Sequence, residues 1–259
     1  MTKEISLQNK TMNGVLWSAI QKVGSIAITF FANVILARLL TPADFGCIGM
    51  LMIFISLSNT FIDGGFGSAL IQKKNPTRTD YSTIFYWNIL LSIVLYGILY
   101  VSAPVISTFY KIPLLEDVLK VQGLVLIVNA FGIIQANQLR KQLDFKKISV
   151  VEIAAAMISL ALAVLAAWRG LGVWSLIIQQ ISLSTFRTLF YWIMSKWRPI
   201  MTFSCKSFKD LFNFGGFILL SNLIGTLSNE IQGLFVGKMF SSSLLGYYTQ
   251  SYRLEGSMA

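Results

Sequence analysis

The chain has 259 residues, of which 55% are hydrophobic and 12% are charged, and its mean hydropathy is +0.67. Soluble domains carry about twice this share of charged residues, so the composition excludes a water-soluble globular protein. The formal net charge of +10 does not indicate nucleic-acid binding, because the basic residues lie mainly between apolar blocks and no basic run alternates with aromatic residues.

Apolar residues occur in seven blocks, each long enough to cross a hydrocarbon core of about 30 Å as a helix rising about 1.5 Å per residue. The sequence therefore predicts an all-α integral membrane protein, a polytopic helix bundle. The first block lacks the cleavage site of a signal peptide, so we expect it to be a permanent span. An eighth block begins near Leu245. The predicted spans are 12–40, 44–71, 81–103, 118–139, 148–168, 171–195 and 213–239.

The positions of the basic residues predict the orientation of this bundle, since Lys and Arg near span ends are retained on the cytoplasmic side. With the amino terminus inside, 13 of the 21 basic residues fall in inner segments and five in outer segments or at span edges. We therefore expect a cytoplasmic amino terminus. Cys47 and Cys205 then lie at opposite faces, which argues against a disulfide, and a sequence without His argues against a zinc or haem site.

Two connections contain enough apolar residues to form helices in the membrane interface. These are 104–117, which we place outside, and 202–213, which we place inside. The second mixes Phe and Leu with Lys and Asp, as expected of an amphipathic segment on an anionic leaflet.

The sequence also contains an internal repeat with an offset of 200 residues. The segment 35–46 aligns without a gap to 235–246, and both the basic residues Arg38 and Lys238 and the glycines Gly46 and Gly246 coincide. The two spans are six apart and run in the same direction, so the repeat predicts two parallel lobes. We expect a six-span lobe over 1–200, then an interfacial linker helix, a seventh span and the start of a second lobe over 201–259, in a longer protein. The alternative is a complete seven-span protein.

Three strings carry a resemblance to a known family: GVLWS from Gly14, ARLLTPADFG over 37–46 and FIDGGFGSALIQ over 61–72. With them, the chain resembles the polysaccharide transporters, or Wzx-type flippases, of the multidrug/oligosaccharidyl-lipid/polysaccharide exporter superfamily. It is most similar to their WzxC/TuaB-like lipopolysaccharide and O-antigen branch.

This resemblance implies a flippase in the bacterial plasma (inner) membrane. Its substrate would be an undecaprenyl-diphosphate-linked oligosaccharide, an O-antigen, capsule or exopolysaccharide unit, moved by alternating access between two lobes. The implied partners are this substrate, membrane lipids, and a polysaccharide polymerase with its export machinery, with no nucleic acid and no cofactor.

Polar residues deep in predicted spans are the candidates for substrate contact, because burying them in lipid is costly. Lys22 lies about ten residues, or roughly 15 Å, into the first span and is the first candidate ligand for a diphosphate, with a snorkelling or paired lysine as the alternative. Arg187, Asn33 and Asn88 are further cavity candidates. The alternatives are a snorkelling arginine at the inner interface and hydrogen bonds between helices.

Two carboxylates are candidates for proton or ion coupling. Glu230 lies inside the seventh span, and a structural pair between Glu230 and Lys22 is the alternative. Asp63 precedes Gly64, Gly65 and Gly67, where we expect a hinge or a helix cap rather than an ion site.

We expect no catalytic residues and no metal site, because the sequence lacks His, a useful carboxylate pair on an outer loop and a phosphate-binding glycine loop. Two alternatives to the flippase remain. One is a cation-coupled multidrug exporter of the same superfamily. The other is a membrane-embedded glycan polymerase or ligase, for which the predicted outer loops are short.

Overall fold

The computed structural model describes the backbone of residues 2–258 and the side chains of residues 14–251. These residues form ten α-helices and no strand, which confirms the predicted all-α bundle. The helices are α1 (Thr2–Leu39), α2 (Pro42–Asp63), α3 (Phe66–Gln72), α4 (Arg78–Tyr110), α5 (Leu114–Gln122), α6 (Leu124–Lys141), α7 (Phe145–Trp168), α8 (Val173–Met194), α9 (Cys205–Met239) and α10 (Ser242–Met258).

Six segments of the described chain are long and apolar enough to cross a membrane, as expected of a multi-pass membrane protein. They correspond to six of the seven predicted spans, with α2 and α3 forming one segment and α5 and α6 another. The remaining predicted span, 171–195, forms α8. This helix is about 33 Å long but includes Gln179, Gln180 and Arg187 and is not among the six, so its crossing of the membrane stays a prediction.

A glycine pair separates α2 from α3. Gly64 and Gly65 have φ values of 57° and 68°, which glycine adopts without steric cost. A Cβ on Gly65 would lie 2.4 Å from the carbonyl oxygen of Gly215 in α9. The segment after Asp63 is therefore a helix cap against which α9 packs closely, in agreement with the predicted hinge or cap.

The far end of α3 is closed by a lysine of α6. The Nζ atom of Lys141 donates hydrogen bonds to the carbonyl oxygens of Leu70 at 2.8 Å and Ile71 at 2.9 Å, and to that of Lys73. These carbonyls have no partner within their own helix, and a cation offsets the negative end of the helix dipole. Lys141 therefore has a structural role besides its contribution to the charge of this end of the bundle.

The predicted interfacial helix over 104–117 is wrong in its boundaries. Pro104 lies inside α4, which continues to Tyr110, and a separate helix starts only at Leu114. The reason is packing, because the side chains of Ile106 and Tyr110 are buried in the main hydrophobic core against α2.

The predicted helix over 202–213 forms, but it is not separate from the seventh span. Ser204 caps α9, and the helix then continues without a break to Met239. Leu211 is buried, and Phe208 and Phe212 stack near Phe66 of α3. Its position relative to the membrane interface stays a prediction.

The main hydrophobic core surrounds α2, which packs against α4, α6, α8, α9 and α10. Phe45, Ile48 and Leu51 of this helix are almost completely buried. A second cluster around Phe66 and Phe85 fixes α3 to α4 and α6. Because α2 contacts α4, α6 and α8 as well as α9 and α10, it is the element that joins the two parts of the chain.

The two aligned repeat segments meet where α2 crosses α10. A Cβ on Gly46 would lie 1.9 Å from the carbonyl oxygen of Ser242, and a Cβ on Gly246 would lie 1.8 Å from that of Pro42. Positions 42 and 46 correspond to 242 and 246 in the 200-residue repeat, so the two contacts are reciprocal. The helices are therefore related locally by a two-fold rotation, and both glycines are needed for the close approach.

We predict that Gly46→Ala and Gly246→Ala each destabilise the protein by about 1–3 kcal/mol, because the new methyl group displaces the partner backbone. The apparent unfolding temperature of the purified protein in detergent measures the effect. Gly97→Ala in α4 is the matched control, since nothing lies within 4 Å of its Cβ position. Equal unfolding temperatures for all three variants would contradict the close crossing.

Candidate functional site

A row of polar residues interrupts the apolar sequence of α2. Ser56, Asn59, Thr60 and Asp63 occupy positions i, i+3, i+4 and i+7, so they lie along one side of the helix. Two polar clefts flank this row, and Asn59 and Asp63 line both of them. We call them the α8 cleft, between α2, α6, α7 and α8, and the α9 cleft, between α2 and α9.

The α8 cleft has a volume of about 400 Å³ and contains both signs of charge. Arg140 and Arg187 face Asp63 and Glu152 across it, so the formal charges cancel. Such a site offers donors and acceptors to a polar ligand without a large net field. Its lining comprises Asn59, Asp63, Asn129, Gly132, Ile133, Ala136, Asn137, Arg140, Glu152, Arg187, Thr188 and Tyr191.

Asn129 of α6 joins three helices of the α8 cleft. Its Nδ2 donates to Oδ1 of Asn59 in α2 at 3.2 Å. Its own Oδ1 accepts from Nη2 of Arg187 at 3.0 Å and from the hydroxyl of Ser184, both in α8. One amide thus satisfies the hydrogen bonds of three polar side chains, which a bundle in lipid needs because no water is available in the hydrocarbon region.

Glu152 of α7 completes the network on the opposite wall. The hydroxyl of Tyr191 donates to its Oε1 at 2.7 Å, and Nη1 of Arg187 lies 3.9 Å from its Oε2. The second distance is long for a charge-assisted hydrogen bond, which is about 2.7–2.9 Å. Arg187 is therefore held loosely, with about a third of its side chain exposed to the cleft.

The α9 cleft has a volume of about 470 Å³ and is lined by polar residues and one glycine. The hydroxyls of Thr60 and Thr226 are 3.0 Å apart, and Glu230 accepts a hydrogen bond from Ser56 at 3.0 Å about one turn beyond. The lining residues are Asn59, Thr60, Asp63, Ser221, Asn222, Gly225, Thr226 and Asn229.

The structure brings three of the predicted site residues to this pair of clefts. Arg187 lines the α8 cleft, Asp63 lines both clefts, and Glu230 lies beside the α9 cleft through its bond to Ser56. Whether these residues bind substrate or ions stays a prediction.

The other three predicted residues lie elsewhere. Lys22 is exposed on α1 beside an apolar cavity of about 410 Å³, and it forms no ion pair with Glu230. Asn33 is buried and lines a cavity between α1 and α10. Asn88 is completely buried, and its amide, oriented by its neighbours, donates to the carbonyl oxygen of Ile62 at 2.9 Å. Asn88 therefore joins α4 to α2.

The lining residues that were not among the predicted sites include four polar ones of the α8 cleft: Asn59, Arg140, Glu152 and Tyr191. Glu152 had a usable signal, because a carboxylate a few residues inside the predicted span 148–168 is as costly in lipid as Glu230. Arg140 was assigned to an inner loop. Asn59 and Tyr191 have no distinguishing signal in sequence, since their role depends on which helices pack together.

Comparison with known proteins then assigns the family. The family described as "Polysaccharide biosynthesis protein" matches residues 35–259. The chain belongs to this family. The match covers both clefts and the α2–α10 crossing, and it confirms the resemblance seen in the strings around Arg38 and Gly67.

Three named proteins are similar to this chain along almost its whole length. Teichuronic acid biosynthesis protein TuaB of Bacillus subtilis (strain 168) is 29% identical over 96% of the chain. Lipopolysaccharide biosynthesis protein WzxC of Escherichia coli (strain K12) is 25% identical over 96%, and succinoglycan biosynthesis transport protein ExoT of Rhizobium meliloti (strain 1021) is 23% identical over 98%. The chain spans about half the length of these relatives, at 52%, 51% and 51% of each.

A solved structure has the same fold. It is the inward-facing conformation of a multidrug resistance MATE family transporter of the MOP superfamily, with a TM-score of 0.63 and 15% identity. The match covers 88% of this chain and 57% of that one. At this identity the likeness concerns the arrangement of helices alone.

We predict that Asn129→Leu destabilises the protein by about 1–3 kcal/mol, because Asn59, Ser184 and Arg187 each lose a buried partner. The matched control is Asn229→Leu, the same change at an exposed residue of the α9 cleft. Apparent unfolding temperatures in detergent measure both. A loss in the control as large as that of Asn129→Leu would show that the Asn129 network contributes no specific stability.

Proposed function

We propose that this chain is part of a transporter that flips an undecaprenyl-diphosphate-linked oligosaccharide from the inner to the outer leaflet of the bacterial plasma membrane. The observation that carries the proposal is the pair of polar clefts on either side of α2 inside an apolar bundle. Family membership supports a role in polysaccharide assembly, and the name of one relative identifies it as a transport protein.

A polar pathway is what this substrate requires. Moving an ion of carboxylate size from water into a medium of low dielectric constant costs on the order of 20 kcal/mol, so a diphosphate does not cross hydrocarbon unaided. Arg187 and Arg140 supply guanidinium groups, which match phosphate oxygens in geometry and charge. The amides of Asn59, Asn129 and Asn137 suit the hydroxyl groups of sugars, while the prenyl chain stays in the lipid.

The proposed protein has two lobes related by the rotation seen at the α2–α10 crossing. Residues 1–200 form the first lobe, and 201–259 contain the linker, the seventh span and the start of the second lobe. The α9 cleft then lies between the lobes, and alternating access opens it first to the inside, where the amino terminus is placed, and then to the outside. A polysaccharide polymerase and export machinery receive the flipped unit.

Within this scheme Arg187 binds the diphosphate from the α8 cleft, which shares Asn59 and Asp63 with the α9 cleft. We predict that Arg187→Gln lowers the flipping rate roughly 10-fold to 100-fold, the effect of losing about 1.5–3 kcal/mol of charge-assisted hydrogen bonding. The test is complementation of a flippase-deficient bacterium with the complete gene, while lipid-linked oligosaccharide is measured on each leaflet.

Arg169→Gln is the matched control, because Arg169 is exposed in the turn between α7 and α8, outside both clefts. Its flipping rate is expected to equal that of the unmodified protein at equal abundance. If the complete gene leaves lipid-linked oligosaccharide on the inner leaflet despite expression, the flippase proposal is wrong. If the complete gene restores flipping and Arg187→Gln flips as fast as the control, the flippase proposal stands and the assignment of Arg187 is wrong.

Glu230 and Asp63 are the proposed coupling carboxylates, since each lies beside a polar cleft inside a span. We predict that Glu230→Gln removes the acceleration of flipping by an imposed proton or sodium gradient, while the glutamine still accepts the hydrogen bond from Ser56. Flipping in vesicles with and without each gradient measures the effect. The control Glu116→Gln alters a carboxylate that pairs with Lys120 on α5, and we expect it to leave the gradient dependence unchanged. A full gradient response in Glu230→Gln would refute the coupling role of Glu230.

The other functions predicted from sequence receive less support. The likeness to a multidrug transporter is one of fold, whereas the sequence relatives are named for polysaccharide and teichuronic acid biosynthesis or for succinoglycan transport. A polymerase or ligase needs reactive groups outside the bundle, and both charged clefts lie between helices. Unchanged drug susceptibility in cells carrying the complete gene is the result we expect.

A further inference from the structure

The two-fold relation between α2 and α10 makes the surroundings of α9 comparable with those of α1. Position 38 in α1 corresponds to 238 in α9, and position 37 corresponds to 237. Lys238 and Gly237 of α9 are packed against the end of α4, whereas their counterparts in α1 border an open cavity. The packed side therefore indicates what kind of helix end would cover the cavity on the open side.

On the packed side, the end of α4 fills the angle between α9 and α10. The ammonium group of Lys238 lies 3.7 Å from the centre of the Phe109 ring and donates a hydrogen bond to the carbonyl oxygen of Phe109. Gly237 is covered by Tyr110, since a Cβ there would lie 3.4 Å from the Tyr110 ring and 3.0 Å from Leu245. The angle between α9 and α10 is therefore occupied by a helix end that supplies an aromatic residue and a carbonyl oxygen for the lysine.

On the open side, the equivalent space between α1, α2 and α10 holds a cavity of about 390 Å³. It is bordered by Arg38, Ala37 and Phe45, the counterparts of Lys238, Gly237 and Leu245. A single water takes up about 30 Å³ in the liquid, so the space is large enough for side chains. Tyr247 of α10 also lines it, but none of the described residues around it belongs to α4.

Two polar groups on this surface lack the partners that their position calls for. Arg38 is exposed, whereas its counterpart Lys238 bonds the end of a helix. Asn33 is 6% exposed and lines the same cavity, and its buried Nδ2 has no hydrogen-bond partner among the described residues. A buried donor left without an acceptor costs about 1–3 kcal/mol, so a covering group that carries acceptors stabilises this site.

We propose that this cavity is the docking site for the second-lobe helix that repeats α4, with Arg38 bonding the carbonyl oxygens and an aromatic side chain at its end. This inference rests on the two-lobed organisation proposed above. A second copy of the chain does not fit, because the end of its α4 is already packed against its own Lys238 and Gly237. A lipid chain would fill the apolar part but would leave the amide of Asn33 without an acceptor.

Photocrosslinking in the product of the complete gene tests the docking site. Arg38→p-benzoylphenylalanine is expected to attach to a peptide about 200 residues after 103–112, the segment equivalent to the end of α4. The matched probe, Lys238→p-benzoylphenylalanine, is expected to attach to the peptide that contains Phe109 and Tyr110. Mass spectrometry of proteolytic fragments identifies each adduct.

With the control probe working, any other product at position 38 overturns the inference: an adduct with lipid, with a second copy, with a different segment, or none. The readout does not depend on transport. A protein that fails to flip oligosaccharide and still gives the expected adduct keeps the docking site, whereas a flipping protein with a lipid adduct loses it.

Discussion

The cost of polar groups in hydrocarbon determines how this bundle is arranged. A helix that carries Ser56, Asn59, Thr60 and Asp63 among apolar residues is unfavourable against lipid, because each unsatisfied group costs several kcal/mol. The structure places it at the centre, where α6 and α9 supply hydrogen-bonding partners. The same placement creates the two clefts, because the polar side chains on either side of α2 do not fill the space between the helices.

The close crossing of α2 and α10 sets the width of the α9 cleft. With Gly46 and Gly246 against the partner backbones, the helices touch at one end of the bundle. At the other end Gly65 allows α9 to approach the α2–α3 junction within contact distance. The helix α9 is therefore held at one end by Gly215 and at the other by α10, which follows it directly in the chain, and by the contact of Gly237 with Met50. The polar residues between these ends are left to face an open cleft.

Hydropathy and repeats predicted much of this arrangement, because they depend on local sequence. The apolar blocks, the glycine cap after Asp63 and the correspondence of Gly46 with Gly246 were all readable. The direction in which each helix faces was not. On α1, Gly14 and Gly24 lie against Phe145 and Ile153 of α7, and this packing leaves Lys22 at the exposed edge, away from Glu230. Helix rotation depends on such steric detail in partners far along the chain, as does the burial of Tyr110 that extends α4.

The loose contact between Arg187 and Glu152 suits the proposed transport cycle. A transporter must release what it binds, so its site cannot hold the ligand with the full strength of two free guanidinium groups. Glu152 lies 3.9 Å from Arg187 and is itself fixed by Tyr191. In the proposed cycle an arriving phosphate competes with this carboxylate, and when the phosphate leaves, the same carboxylate neutralises the arginine. Under this proposal Glu152 lowers the affinity of the cleft for phosphate and thereby allows the phosphate to leave.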